Sequence, residues 1–319
     1  MTLARHIVRL RGPIAVFGAG GFIGVNLLQT LLQHRSDVVG YSQAPARSWR
    51  LRQAKVPTTR LAKVDLLRPA QLARTLARHR PQTVFNLAAY GAYAKQKDIA
   101  KIHATNFLST VSCLELLKRR GFAAYLHAGS QSEYGLNAAG PREDAELVPN
   151  SHYAVSKTAA YYLMKYYGKV ERLPVAHVRL YSVYGPWEEP DRLIPTLIRA
   201  AQQRKLPQFV AADISRDFVY VDDAVAALIV VAATLQRKNY GEAFNIATGT
   251  KTTMRELASL TKELFSIRQE PAFGTMRNRG WDVRDWYGNP AKLQRATGWK
   301  AATTLSQGLR RCYDHAGRA

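Results

Sequence analysis

Acidic residues are scarce in this chain. Asp and Glu number 23 against 46 Lys and Arg, which leaves a formal net charge of +23. Such an excess draws in polyanions, phosphorylated small molecules among them. The cations are spread along the whole sequence rather than gathered on one element interleaved with aromatics, so no nucleic-acid partner is expected. Cysteine is scarcer still. Cys113 and Cys312 cannot build a disulfide framework, and Cys113 falls in an apolar helical stretch where packing in a reducing compartment is its expected role. No stretch approaches the ~20 apolar residues of a membrane span, and the longest run, at 224–233, is about half that. The basic N-terminus lacks the apolar core of a secretion signal, so the expected location is cytoplasmic. No repeat, low-complexity tract or linker interrupts the 319 residues, whose 47% hydrophobic content is that of an ordinary globular protein. A chain of this length needs no metal or disulfide staple, and its histidines show no metal-ligand spacing, so no metal is expected.

What is present is a rhythm. Short apolar runs at 14–17, 38–41, 83–87, 123–127 and 175–180 alternate with helical patterns at 22–33, 69–79, 106–119 and 153–167. Such alternation implies crossover connections and a parallel sheet, hence an α/β fold of the Rossmann-type, doubly wound kind. After Tyr184-Gly185-Pro186 the rhythm loosens, with helices expected at 194–203, 224–235 and 254–265 and after Thr304, and a strand at 243–246. The second half is expected to form a smaller, irregular region laid against the carboxyl ends of the strands.

Directly after the first strand comes Gly18-Ala19-Gly20-Gly21-Phe22-Ile23-Gly24. Gly18, Gly21 and Gly24 give G-x-x-G-x-x-G spacing at a strand-turn-helix junction. Missing side chains let a pyrophosphate approach, and the amides of Phe22, Ile23 and Gly24 face it. The expected division is therefore a dinucleotide-binding part over residues 1–178, joined by part of 224–250, and a mainly substrate-binding part over 179–319. NAD enzymes carry a ribose-binding acid at the end of the second strand. Here Asp37 lies at that strand's beginning, while Ser42, Arg47, Arg50 and Arg52 follow its end, which favours NADP over NAD. Asp65, with Leu66 beside it, stands where the next strand can meet the adenine edge; the alternative is a helix cap ahead of Pro69.

Tyr153 and Lys157 sit four residues apart on one helical face. A free phenol titrates near pH ~10, and a neighbouring ammonium is expected to move it toward neutrality, where it can exchange a proton. Upstream, His127-Ala128-Gly129-Ser130-Gln131-Ser132-Glu133-Tyr134-Gly135 follows a strand, so its hydroxyls point into the crevice or form a polar turn.

In order along the chain, these elements resemble the extended short-chain dehydrogenase/reductase family, in the branch acting on nucleotide sugars. The likeness runs from the glycine turn through Asn86-Leu87-Ala88-Ala89, Asn106, the Ser130–Gly135 segment and Tyr153–Lys157. It continues through Arg179-Leu180-Tyr181-Ser182-Val183-Tyr184-Gly185-Pro186 and Arg216–Asp223 to Gly298-Trp299. The resemblance implies Tyr153 as acid/base, with Lys157 lowering its pKa and holding the nicotinamide ribose. It implies Ser130 as the catalytic hydroxyl, with Ser132 second if the alignment carries a one-residue gap. Leu87, Ala88 and Ala89 would line the cofactor, Ser182 would meet substrate, and Arg216 would grip the nucleotide diphosphate. Arg277, Arg279 and Asp282 lie where the family's later substrate loop sits. A homodimer is implied through the helices at 106–119 and 153–167, whose Tyr161, Tyr162 and Tyr166 suit either that packing or intramolecular burial.

Family 4,6-dehydratases follow the catalytic hydroxyl with Asp and Glu; here Gln131 and Ser132 stand there, unless a gap brings Glu133 into the Glu place. Two chemistries at C4 remain. One is reduction of a 4-keto sugar by NADPH, which is preferred. The other is epimerisation, in which retained NAD takes a hydride and returns it to the opposite face. A Rossmann-type binding module without catalysis is the non-enzyme alternative.

Overall fold

The computed structural model describes residues 2–276 and 283–317. Leu3–Arg9 (α1) leads into Ile14–Phe17 (β1), whose four residues are all buried, as an unbroken apolar run covered on both faces requires. Phe22–Leu32 (α2), Val38–Ser42 (β2), Trp49–Gln53 (α3), Leu61–Lys63 (β3), Pro69–His79 (α4) and Thr83–Asn86 (β4) follow. Ile99–His103 (α5) and Ser109–Lys118 (α6) are joined through a π-helical turn over Ala104–Leu108. Ala124–Ser130 (β5), His152–Lys169 (α7) and Val175–Leu180 (β6) complete the regular part.

The remainder is looser. It runs through Ser182–Tyr184 (β7), Leu193–Gln202 (α8), Ser215–Arg216 (β8), Phe218–Tyr220 (β9), Val221–Ala233 (α9) and Ala243–Ile246 (β10). Thr252–Thr253 (β11), Met254–Phe265 (α10), Asp285–Trp286 (β12), Ala291–Thr297 (α11) and Leu305–Ala316 (α12) end it.

Seven strands form one sheet in the order β10-β6-β5-β4-β1-β2-β3, every pair parallel. This is the doubly wound α/β architecture expected from the alternation. The crevice falls outside the strand carboxyl ends, where the order reverses between β1 and β4. The late strand β10 returns to the sheet edge beside β6, and apolar α9 packs against α1, α2 and β5. No helix among the described residues is long and apolar enough to cross a membrane. The smaller region is built on two short sheets, β11-β8-β12 and β7-β9.

One buried carboxylate fastens that region to the tail of β10. Asp217 accepts from Thr248 N (2.9 Å) and Oγ1 (2.6 Å), Gly249 N (2.9 Å) and Gly288 N (3.2 Å). Burial raises its pKa, and these four donors pull against that. Replacing Asp217 with Ala strands three backbone amides at about 1–3 kcal/mol each when desolvated. Urea unfolding of Asp217→Ala should show a loss of at least about 3 kcal/mol, and a loss well under 1 kcal/mol would mean the loops are held otherwise.

Candidate active site

At the end of β1 the chain turns through Gly18 at φ +78°. A Cβ there would lie 2.8 Å from Ala88 N and Leu87 O, and one on Gly24 would lie 2.1 Å from Gly18 O. Neither distance admits a side chain. The Gly18 and Ala19 amides both donate to Tyr41 O at 3.0 Å, and Gly21 opens α2 without side-chain capping. The turn is thus pressed between β2, β4 and its own helix. The first-turn amides of Phe22, Ile23 and Gly24 suit a nucleotide diphosphate. Asn86 holds the facing Leu87–Ala89 turn, accepting from Ala88 N (3.3 Å) while donating to Tyr125 Oη (2.8 Å).

Ser42, half-buried, ends β2. A Cβ on Gly20 would meet the hydroxyls of Ser42 (3.0 Å) and Ser48 (3.2 Å). Arg47 is exposed on the next turn. The other two arginines go elsewhere. Arg50 is buried, donating to Trp187 O (2.7 Å) and Glu189 (2.8 Å), whose other oxygen takes Lys95 (2.7 Å); Arg52 donates to Ala46 O (3.2 Å). Asp37 precedes β2, as expected, and pairs with Arg35. Asp65 is not a helix cap. The cap position of α4 is Arg68, and Asp65 instead accepts from Leu67 N (3.0 Å) and from Gln43 (3.1 Å), beside half-buried Leu66 and the end of β2.

Tyr153 opens the first turn of α7, capped by Ser151. Burial pushes its phenol up to about 12, with a hydrogen bond to Ser130 pulling against that shift. Burial, not the Lys157 ammonium, sets the direction of that shift. The Lys157 ammonium donates to Ala128 O at 2.7 Å and lies 5.9 Å from the Tyr153 ring centre. Lys157 is 1% exposed, and burial drops its own pKa to about 8, with only the charge of Glu133 opposing. Asn106, buried in the π-helical turn, fixes the wall on the other side. It bonds both the N–H (2.9 Å) and C=O (2.8 Å) of Tyr90 and donates to Ser156 Oγ (2.8 Å), one turn from Tyr153. Sequence reading overlooked Gly91, at φ +96°, where a Cβ would approach Tyr153 Cδ2 to 3.4 Å. It also overlooked Arg192, whose charge lowers the phenol's pKa. A lone glycine and one arginine among many carry no signal by themselves.

Ser130, at the end of β5, caps a short 3-10 turn with Glu133 in a capping box. Its hydroxyl donates to Ser132 Oγ (3.1 Å) and accepts from Ser132 N (3.1 Å), so both serines of the expected pair sit together. Glu133 is fully buried. Its oxygens take Ser130 N (2.8 Å), His177 Nε2 (2.9 Å) and Arg179 Nε (2.7 Å). The gapped alternative that would make Glu133 a proton carrier therefore has no geometric support. Gln131 is buried next to Ser182, with 3.5 Å between its amide nitrogen and the Ser182 hydroxyl, and its own Oε1 has no hydrogen-bond partner. Arg216 stacks at 5.0 Å over Trp286 and donates to Ser215 O (2.7 Å). Arg277, Arg279 and Asp282 lie outside the described residues. Tyr153, Ser130 and Lys157 are thus brought to one place, at the carboxyl ends of strands that flank the glycine turn. The arrangement can hand a phenolic proton to an oxygen and bind a dinucleotide beside it.

A sequence model for the family described as "NAD dependent epimerase/dehydratase family" matches residues 14–247. The chain is 31% identical over 313 residues to GDP-6-deoxy-D-mannose reductase of Pseudomonas aeruginosa, covering 92% of this chain and 94% of that one. It is 29% identical over 305 residues to UDP-glucose 4-epimerase of Mycolicibacterium smegmatis, covering 92% and 95%. The solved structure of RMD from Pseudomonas aeruginosa complexed with NADPH superposes with a TM-score of 0.78 at 28% identity, covering 96% and 99%.

The depressed Lys157 fixes the sign of a pH effect. Its folded pKa of about 8 lies below the unfolded 10.5, so between those values the unfolded chain binds the extra proton and stability rises with pH. Below pH 8 the penalty is fully present, at about 3 kcal/mol. Compared by chemical denaturation, wild type should gain on Lys157→Met by up to about 3 kcal/mol between pH 7.5 and 10.5. A pH-independent gap would show that the ammonium is not desolvated.

Proposed function

The chain belongs to the NAD-dependent epimerase/dehydratase family, and on that footing we propose that it reduces the 4-keto group of a nucleotide-diphosphate sugar at the expense of NADPH. It is an enzyme of the extended short-chain dehydrogenase/reductase type, with relatives that act on nucleotide sugars. The observation that carries the reductase reading is the end of β2, where Ser42 and Arg47 stand and no acid follows; the Tyr153 phenol, protonated at neutral pH, is the proton donor such a reduction needs. Reduction of a ketone needs a proton donor in its starting state; oxidation of an alcohol needs a phenolate.

The glycine cradle fits a dinucleotide because Gly18 and Gly24 leave no room for side chains. When bound, NADPH supplies a hydride to the keto carbon. Ser130 Oγ orients the keto oxygen, Tyr153 Oη gives it a proton, and the nearby Lys157 charge stabilises the resulting phenolate. Ser42 and Arg47, at a strand end without an acid, suit a 2′-phosphate. Gln131 and Ser132 stand where elimination would need acids, and Glu133 is locked in a buried network, so a 4,6-dehydratase is disfavoured. On this reading residues 1–178, joined by part of 224–250, hold the cofactor. Residues 179–319 mainly hold substrate, through Ser182, Arg216 and the segment bearing Arg279. Tyr162 and Tyr166 of α7 are 56% and 48% exposed, and Leu108 beside α6 is 55% exposed, which supports a homodimer through those helices. Tyr161 instead turns inward, 4.4 Å beneath the Arg179 guanidinium.

The second reading is a C4 epimerase with retained NAD, supported by the 29% identical UDP-glucose 4-epimerase. Purified protein should consume NADPH with 4-keto-6-deoxy nucleotide sugars, and Tyr153→Phe should lose about 10²–10⁴-fold in turnover while still binding cofactor. Co-purifying NAD with activity and no added cofactor would replace the reductase by the epimerase. Full activity in Tyr153→Phe would end both readings.

A further inference from the structure

The parallel sheet starts in register. Ile14 pairs with Val38 and with Thr83, Thr83 with Ala124, Tyr125 with Val175, and His177 with Ala243. Every segment feeding a strand therefore emerges on one face, opposite the strand ends that carry Ser42, Ala88 and Ser130. Seven strands spaced about 4.8 Å apart make that face roughly 30 Å wide. Its feeding segments present Arg11, Arg80, Arg119, Arg120, Arg172 and Lys238, all exposed. The acids among those segments are already matched: Asp37 by Arg35, Glu171 by Lys118, and Glu242 by Lys169 and Lys292. Before Asp98 the sequence holds no acids besides Asp37 and Asp65.

Helix dipoles account for cations inside a last turn. They do not account for cations beyond it, least of all where the backbone is left-handed. Lys55 (φ 51°), Arg80 (φ 43°) and Arg172 (φ 59°) occupy positions where glycine or asparagine is the relaxed choice. Each puts a cation in backbone that favours glycine, as Arg204 (φ 56°) also does away from this face. Two aliphatic side chains on the same face also stand in water, Val8 at 70% exposure and Val170 at 68%. At the entry to β1 and β2 lies a shallow cleft of about 270 Å³ lined by Ile14, Val39 and Tyr41 together with Arg60 and Arg78; Asp37, held by Arg35, also borders it.

We propose that this strand-entry face docks the enzyme on an anionic phospholipid bilayer, with the cofactor crevice turned away from the membrane. A broad cationic face with protruding aliphatics and an apolar cleft fits phosphate headgroups above acyl chains. Its exposed aromatic, Tyr166, is tied by its hydroxyl to Glu171 (2.8 Å) and stands alone, where single-stranded nucleic acid would use a series of stacking rings.

The test is sedimentation of the full chain with phosphatidylcholine vesicles, with and without phosphatidylglycerol. Binding should require phosphatidylglycerol and be released by high salt. The triple reversal Arg119→Glu, Arg120→Glu, Arg172→Glu should weaken it about a hundredfold. A control reversal away from the face, Lys205→Glu, Arg268→Glu, Arg310→Glu, should weaken it far less at the same net charge. Should the first triple fold poorly, Arg80→Gly with Arg172→Gly relaxes the backbone while removing two cations, so binding should fall about tenfold at an unchanged or higher melting temperature. No binding to anionic vesicles, equal loss in both triples, or a single-stranded RNA that displaces the vesicles through the same cations would each overturn the proposal.

Discussion

A lysine ammonium held almost entirely out of water, with a carbonyl rather than a carboxylate for its hydrogen bond, is the constraint around which the molecule is arranged. Lys157 Nζ rests on Ala128 O, so helix α7 and strand β5 must keep a fixed register for that bond to exist. A buried unpaired cation is among the costlier features a fold can carry. What offsets it is assembled from distant sequence: Glu133 supplies opposite charge across the strand end, and the π-helical turn at Asn106 braces the first turn of α7 through Ser156. Fixing Lys157 fixes Tyr153 one turn earlier, which in turn faces Ser130 at the end of the same β5.

Glu133 illustrates how such an arrangement excludes chemistry as well as permitting it. Its carboxylate is held low by the adjacent His177 and Arg179 charges against the pull of burial, and both oxygens are engaged. Beyond it, His177 stacks on His127 with ring centres 5.1 Å apart, and burial lowers the pKa of both imidazoles. This buried string, anchored by the Glu133–Arg179 ion pair, holds the amide of Ser130 through Glu133 Oε1. A residue so committed cannot ferry protons to a sugar. The pattern S-Q-S-E at 130–133 therefore carries its acid in a structural place and a neutral amide where an acid would do elimination.

Much of this was legible from local chemistry. The glycine turn, the helices at 69–79 and 254–265 and the strands at 175–180 and 243–246 were readable because each is set by residues within one element. Tyr153, Lys157 and Ser130 were readable for the same reason, as motifs at strand and helix ends. What was not legible depends on long-range partners. Arg50 looked like a phosphate ligand until Glu189, far along the chain, claimed it. The short helix α1 shows little periodicity over seven residues, and it forms because Ile7 is buried where α1 packs against α9. The influence of Lys157 on Tyr153 was expected from their spacing and from the family resemblance, whereas desolvation of both groups, which no spacing encodes, is the larger effect.

The same topology divides the charge of the molecule. Parallel strands send all their carboxyl ends to one face and all their amino ends to the other, so a sequence can tune the two independently. Toward the crevice several of the described cations are committed to protein partners: Lys157 on a carbonyl, Arg216 stacked over Trp286, Arg50 on Glu189. On the opposite face they accumulate beyond the helix ends, even in left-handed backbone, where each departs from the glycine that local geometry prefers. Substitutions on that face leave the Tyr153–Ser130–Lys157 cluster untouched, because the length of every sheet strand lies between them. The cations on that face are thus carried at a distance from the phenol, and that separation follows from strand direction.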